Sequence, residues 1–276
     1  MNKVREPAVA GMFYSREKSR LEEDLEILFE SAGDVETFPD IFGIVAPHAG
    51  YIYSGSTAAK AYKALETRDF KTAIVISPSH REYFPGISIF NGDAYSTPLG
   101  ELEIDAGMRE KMISQSNHIF EGINGHRNEH AVEVHLPFLQ QINNYFKIVP
   151  VVIGDQSRKF IDGLADAIGS VWDEDTIIVA SSDLSHFHSG KTADKLDGIV
   201  ERKINEFDFE GLQSSLEMNN CEACGGGGIV AMMKAADKLG FKKSQVLART
   251  DSGKVSGRSD EVVGYLSAVI YGRNDG

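Results

Sequence analysis

Basic residues are scarce. Lys and Arg total 28 against 41 Asp and Glu, a formal net charge of −13 at pH 7. Nucleic acids and anionic membranes are recognised by clustered positive charge, so neither is an expected partner. Long apolar runs are missing as well: none approaches the roughly 20 residues that a membrane-spanning helix requires. The opening MNKVREPAVAGMFYS lacks the apolar core of an export signal and reads as mature sequence. Cysteine is confined to Cys221 and Cys224, too few to staple a chain of 276 residues. A reducing cytoplasm is therefore the expected compartment, with no structural disulfide. There is no low-complexity linker, internal repeat or clear domain boundary, so residues 1–276 are read as a single domain.

What is present is a normal supply of core-forming residues, 42% hydrophobic. From about residue 40 onward, short Val- and Ile-rich runs alternate with helical patterns. FGIVAPH (42–48), TAIVISPSH (72–80), KIVPVVIGD (147–155) and TIIVASSD (176–183) read as buried strands. Helical patterns are expected at 55–66, 105–116, 129–143, 157–171, 190–205, 208–218 and 226–239. ISIF (87–90) and ELEID (101–105) look like an antiparallel insertion, and SQVLART (244–250) and VVGYLSAVIY (262–271) close the chain. Strands this apolar are covered on both faces, which predicts an α/β fold with a mostly parallel central sheet flanked by helices.

Three of the apolar strands end alike. They deliver His48, His80, and Asp183 with His186. In open α/β sheets the carboxyl ends of the strands face the ligand crevice, so parallel neighbours would bring these side chains to one rim. Any one of them alone reads as a loop or capping residue; three such exits favour a shared site. Pro47 and Pro78 stiffen the chain just before the two histidines, or simply terminate the strands.

Cys224 precedes four glycines and a helical pattern. A helix N-terminus favours a thiolate over a thiol there, giving a metal ligand or a nucleophile. Cys221-x-x-Cys224 also fits a redox pair or half of a zinc site, although no second CxxC completes one. The glycines match neither a Walker loop nor GxGxxG, and close backbone packing accounts for them better. GHRNEHAVEVHLPFL gathers His126, Glu129, His130, Glu133 and His135. It is not the HExxH pattern, and it reads either as a solvated first turn or as a second shell orienting ligands and carrying protons. A GxSxG nucleophile elbow is absent.

The sequence resembles the Memo family, on APHAGYIYSGSTAAKAY, SPSH, EHAVEVHLPFL, SSDLSHF and the cysteine-glycine stretch, in that order from PAVAGMFY to the last strand. Its prokaryotic members are discussed as component B of the AmmeMemoRadiSam system, which implies a functional link to a radical-SAM protein. The family is similar in fold to class III extradiol dioxygenases, which hold non-haem iron. The resemblance implies a metal bound by His48, His80 and Cys224, iron or copper in the family. It also places Asp183 and His186 in the same cleft, where they are read as the catalytic pair; the residues' own pattern makes His130, Glu133 and His135 a possible supporting shell. The dioxygenases have a carboxylate where this family has Cys224, and a softer thiolate shifts preference towards copper, zinc or thiolate-bound iron. This chain also has glycines where family members carry a His shortly after the cysteine.

The expectation is a metal-dependent, dioxygenase-like oxidoreductase, with His186 as acid/base and Asp183 orienting a histidine or water. Whether the chain is an enzyme stays open. A metal-assisted hydrolase, a non-catalytic protein binding a peptide or partner, and cysteine-only redox chemistry are the alternatives, and the small-molecule or peptide ligand is unnamed.

Overall fold

The alternation that reads as buried strands also divides the core. The computed structural model describes residues 3–273. Along Thr72–Pro78, Ala73 and Val75 face one hydrophobic cluster while Ile74 and Ile76 face another. Ile177 and Val179 against Ile178 and Ala180 repeat the pattern on Thr176–Ser181. Successive side chains on a strand point to opposite faces, so an unbroken apolar run requires cover on both. The helices Lys18–Ser31 and Tyr51–Ala64 supply it on one side. Arg158–Val171 and Gly226–Lys238 supply it on the other, the former through a stripe of Phe160, Ile161, Leu164, Ala165 and Ile168.

Among the described residues the large sheet has nine strands, and its four central ones, Gly43–Ala46, Thr176–Ser181, Thr72–Pro78 and Lys147–Ile153, are parallel neighbours in that order. Outside them the sheet is mixed, which corrects the expectation of a mostly parallel one. Val262–Arg273 runs antiparallel to Gly43–Ala46, to Phe241–Asp251 and to the short His186–His188. Ile87–Phe90 is antiparallel to Lys147–Ile153 and parallel to Ile119–Gly122. The reason lies in the connections. Parallel neighbours need a crossover of a dozen or more residues, and only residues 252–261 join Phe241–Asp251 to its neighbour Val262–Arg273.

The expected pairing of ISIF with ELEID does not form. Gly100–Glu103 pairs instead with Ala94–Thr97 in a separate three-stranded sheet, which Val4–Arg5 completes. The helix expected from residue 55 begins at Tyr51, where the N–H meets the Phe13 carbonyl at 2.8 Å and the ring packs on Phe138. The helix expected over 129–143 is shorter, a 3-10 turn at Glu133–His135 running into Leu136–Ile142. The Glu129 carboxylate takes the N–H groups of His130 and Ala131, and a side chain that captures local donors competes with helix formation. Among the described residues no helix is long and apolar enough to cross a membrane.

Candidate metal centre

Register brings the strand ends level. Ala46 lies opposite Ser181, and Ile76 opposite Ala180, so all three strands finish at one edge of the sheet. Two residues past Ala46, Pro78 and Ser181 stand His48, His80 and Asp183. The fourth contributor arrives from the helical layer. Cys224 precedes the Gly226–Lys238 helix, and its loop lies directly on the strand edge. Its backbone N–H reaches the Asp183 carbonyl at 3.2 Å, and the Gly225 N–H reaches Ser182 Oγ at 3.0 Å. A Cβ on Gly225 would collide with the Ser181 carbonyl, so only glycine lets the loop approach this closely.

The donors of His48, His80 and Cys224 all lie within 4.8 Å of one another. Cys224 Sγ is 3.2 Å from His48 Nε2, and the two imidazole rings meet edge to face at 5.0 Å. His48 is buried and His80 keeps 30% of its side chain exposed, so the cluster has a closed floor and an open side. Nδ1 of His48 contacts Ser181 Oγ at 2.7 Å, and Nδ1 of His80 contacts Glu129 Oε1 at 2.9 Å. A second group of donors, His80, Glu129 and His130, overlaps the first through His80.

Asp183 sits beneath His48. Its Oδ1 accepts the His48 backbone N–H at 2.8 Å, and its own N–H points at Cys224 Sγ from 3.3 Å. Burial pushes the Asp183 carboxyl up to about 7, against the hydrogen bond from His48. Burial, joined by the positive fields of His80, His130, His135 and His186, drives the His48 imidazole well below its ordinary value. The Cys224 thiol is pushed up by burial and then by the Asp183 charge. Burial therefore outweighs the helix terminus that favoured a thiolate in the sequence, and an ion must displace the thiol proton. Burial also pulls the Glu129 carboxyl upward, yet hydrogen bonds from His80 and from the Ala131 N–H prevail and hold it at about 2.

The remaining histidines divide. His130 stacks on His80 at 5.0 Å, under the edge of Phe13. His135 is buried, with Nδ1 on the Tyr62 hydroxyl at 2.7 Å and Nε2 without a partner. His186 is half-buried on its short strand, close enough to His48 to lower its pKa but outside the donor cluster. His126 belongs to the core, bonded to Tyr95 and the Ser88 carbonyl. Glu133 is spent elsewhere: its carboxylate takes Arg5, the N–H groups of Ala8 and Val9, and the Tyr14 hydroxyl. Of these two glutamates, Glu129 is the one that touches a ligand candidate, His80. Cys221 is buried and lines a cavity of about 370 Å³ with Gln213, Leu216 and Val230; it is not among the clustered donors. Ser181 was missed in the sequence, though a hydroxyl closing a strand two residues before Asp183 was the available signal.

The model of the family described as Memo-like protein matches residues 5–269. A MEMO1 family protein of Methanobrevibacter smithii is 37% identical over 280 residues, covering 97% of this chain and 99% of its own. One from Thermoplasma acidophilum is 38% identical, with 96% and 98% covered, and one from Thermotoga neapolitana 35%, with 97% and 99%. Among solved structures, the uncharacterized protein JW3007 from Escherichia coli K12 aligns with 83% of this chain and 98% of its own at a TM-score of 0.57. At 11% identity this likeness concerns the fold alone.

Proposed function

The chain belongs to the Memo-like protein family, and on that premise we propose that it is a metal-dependent oxidoreductase whose iron or copper is held by His48, His80 and Cys224. The observation carrying this reading is the convergence of two imidazoles and one thiol within 4.8 Å. Bonds of about 2.0–2.3 Å to one ion put such donors roughly 3–4 Å apart, and Cys224 Sγ already stands 3.2 Å from His48 Nε2. Three protein ligands leave positions open, where a bound iron or copper ion supplies Lewis acidity and electron transfer.

The chain's own groups divide the remaining work. His48 binds from the buried floor, the partly buried Cys224 from the loop beside it, and His80 from the open side, so a small molecule enters past His80. His186, beside the donors but outside them, exchanges a proton with the substrate as general acid or base. Asp183 keeps the His48 and Cys224 segments in register through its contacts to both.

One feature favours a second reading. Two imidazoles and a thiolate, in place of the dioxygenases' carboxylate, also suit zinc, and with His186 as base towards water they would make a metal-assisted hydrolase.

Anaerobic purification with metal analysis, followed by Fe(II) titration of the wild type and His48→Ala, tests the assignment. Stoichiometric binding lost in the variant, with oxygen uptake by the loaded wild type, is the expected result. Negligible binding by both proteins sinks the metal reading. Stoichiometric zinc with no oxygen uptake transfers the case to the hydrolase.

A further inference from the structure

An imidazole offers a metal one bare nitrogen, and the partner of the other nitrogen decides which. Around His48 the chain of hydrogen bonds has one end that cannot reverse. A carbonyl only accepts, so the Ser181 hydroxyl donates to the Ala131 carbonyl at 2.6 Å. With its proton committed, the Ser181 oxygen accepts from His48 Nδ1 at 2.7 Å. Nδ1 therefore carries the imidazole proton, and the bare Nε2 is the atom facing Cys224.

His80 has a different partner and the same outcome. Both Glu129 oxygens are already accepting: Oε2 from the His80 backbone N–H at 2.6 Å, Oε1 from the N–H groups of His130 and Ala131 at 2.9 and 3.0 Å. A carboxylate so occupied accepts from His80 Nδ1 as well, and leaves Nε2 bare. The two chains end on the same short segment. Glu129 anchors one, the Ala131 carbonyl anchors the other, and the Ala131 N–H ties the anchors together. Glu129, Ala131 and Ser181 are all buried, where a lost partner is not replaced by water.

We propose that residues 129–131, acting through Glu129 and through Ser181, preset both histidines as the Nδ1–H tautomer, so that each presents Nε2 to the ion shared with Cys224. Glu129 and Ser181 are thereby positioning residues for the two metal-facing imidazoles. The purpose of the device rests on the metal reading above; the tautomers do not. Free histidine in water favours the opposite form, with the proton on Nε2, so the arrangement is a property of the fold.

Long-range ¹H–¹⁵N spectra of the full chain, histidine-labelled and stripped with chelator in mildly alkaline buffer, read the tautomers directly. His48→Ala and His80→Ala assign the signals. Both wild-type rings should carry the proton on Nδ1. Ser181→Ala should shift only His48 towards the Nε2–H form, and Glu129→Gln only His80. Either wild-type ring found as Nε2–H overturns the inference, as do unchanged tautomers in both folded variants. Co(II) titration, followed by the thiolate-to-cobalt charge-transfer band, gives the second readout: each variant should bind roughly 10- to 100-fold more weakly, and wild-type affinity in both rejects the positioning role. If the wild type takes up no Co(II), the metal reading falls while the spectra still decide the tautomers.

Discussion

Asp197 is an acid placed where its charge is costly. It is 2% exposed and accepts the Ser185 N–H at 3.0 Å. Burial pushes its carboxyl up to about 6, against the Ser185 hydrogen bond and nearby Arg249, with Asp251 reinforcing the rise. In the unfolded chain the same group ionises near pH 4. Between these values the native state holds a proton that the unfolded state has released, so stability falls as pH rises and levels off above about 6. The loss amounts to ~3 kcal/mol. Asp197→Asn should remove it, gaining on the wild type by that order at pH 7 relative to pH 4 in urea unfolding; a variant-minus-wild-type difference that ignores pH rejects this. The two cysteines also separate at this scale. Burial lifts the Cys221 thiol to about 11, and its sulfur is not among the clustered donors. Cys224→Ala should therefore abolish the thiolate-to-cobalt band while Cys221→Ala retains it, and the reverse pattern would reassign the ligand. The sequence marked Cys224 by resemblance, yet it could not show that burial holds the thiol protonated, because burial is a property of what packs around it.

Elements place the donors through backbone contact. The Cys224 loop reaches the strand edge because Gly225 has no side chain to strike the Ser181 carbonyl. Gly225→Ala should push the loop outward, costing about 1–3 kcal/mol as overpacking does and weakening Co(II) binding with it. Gly198→Ala is the control, since it lies inside the Gly190–Asn205 helix with nothing near its added methyl. That change should stabilise by about 0.4–1 kcal/mol. Comparable urea midpoints for the two variants would refute the close-approach account. Strands were legible in the sequence because double-sided burial leaves an unbroken apolar run. The truncated 129–143 helix was not: its apolar spacing is helical, and only the folded chain shows the Glu129 carboxylate taking the N–H groups that would open the first turn.

Across the whole molecule, the N-terminal segment is fastened to the same stretch that backs the histidines. Arg5 pairs with the fully buried Glu133, which also takes the N–H groups of Ala8 and Val9. Phe13 then leans its ring on His130. Arg5→Ala leaves Glu133 buried without its cation, and should cost about 3–5 kcal/mol, with early proteolytic cleavage before residue 18. A loss under about 1 kcal/mol would show the strap to be dispensable. The central strands themselves, the exits at His48, His80 and Asp183, and the family were legible in local pattern and motif, since an apolar strand followed by a histidine is written in consecutive residues; the order of those strands in the sheet was not. Glu133 and Glu129 look interchangeable on that basis. One closes on Arg5 and the other on His80, and the choice belongs to contacts 128 and 49 residues apart in the chain. Separations of that size carry no periodic signal, so only the tertiary structure could decide which acid holds the site and which holds the fold.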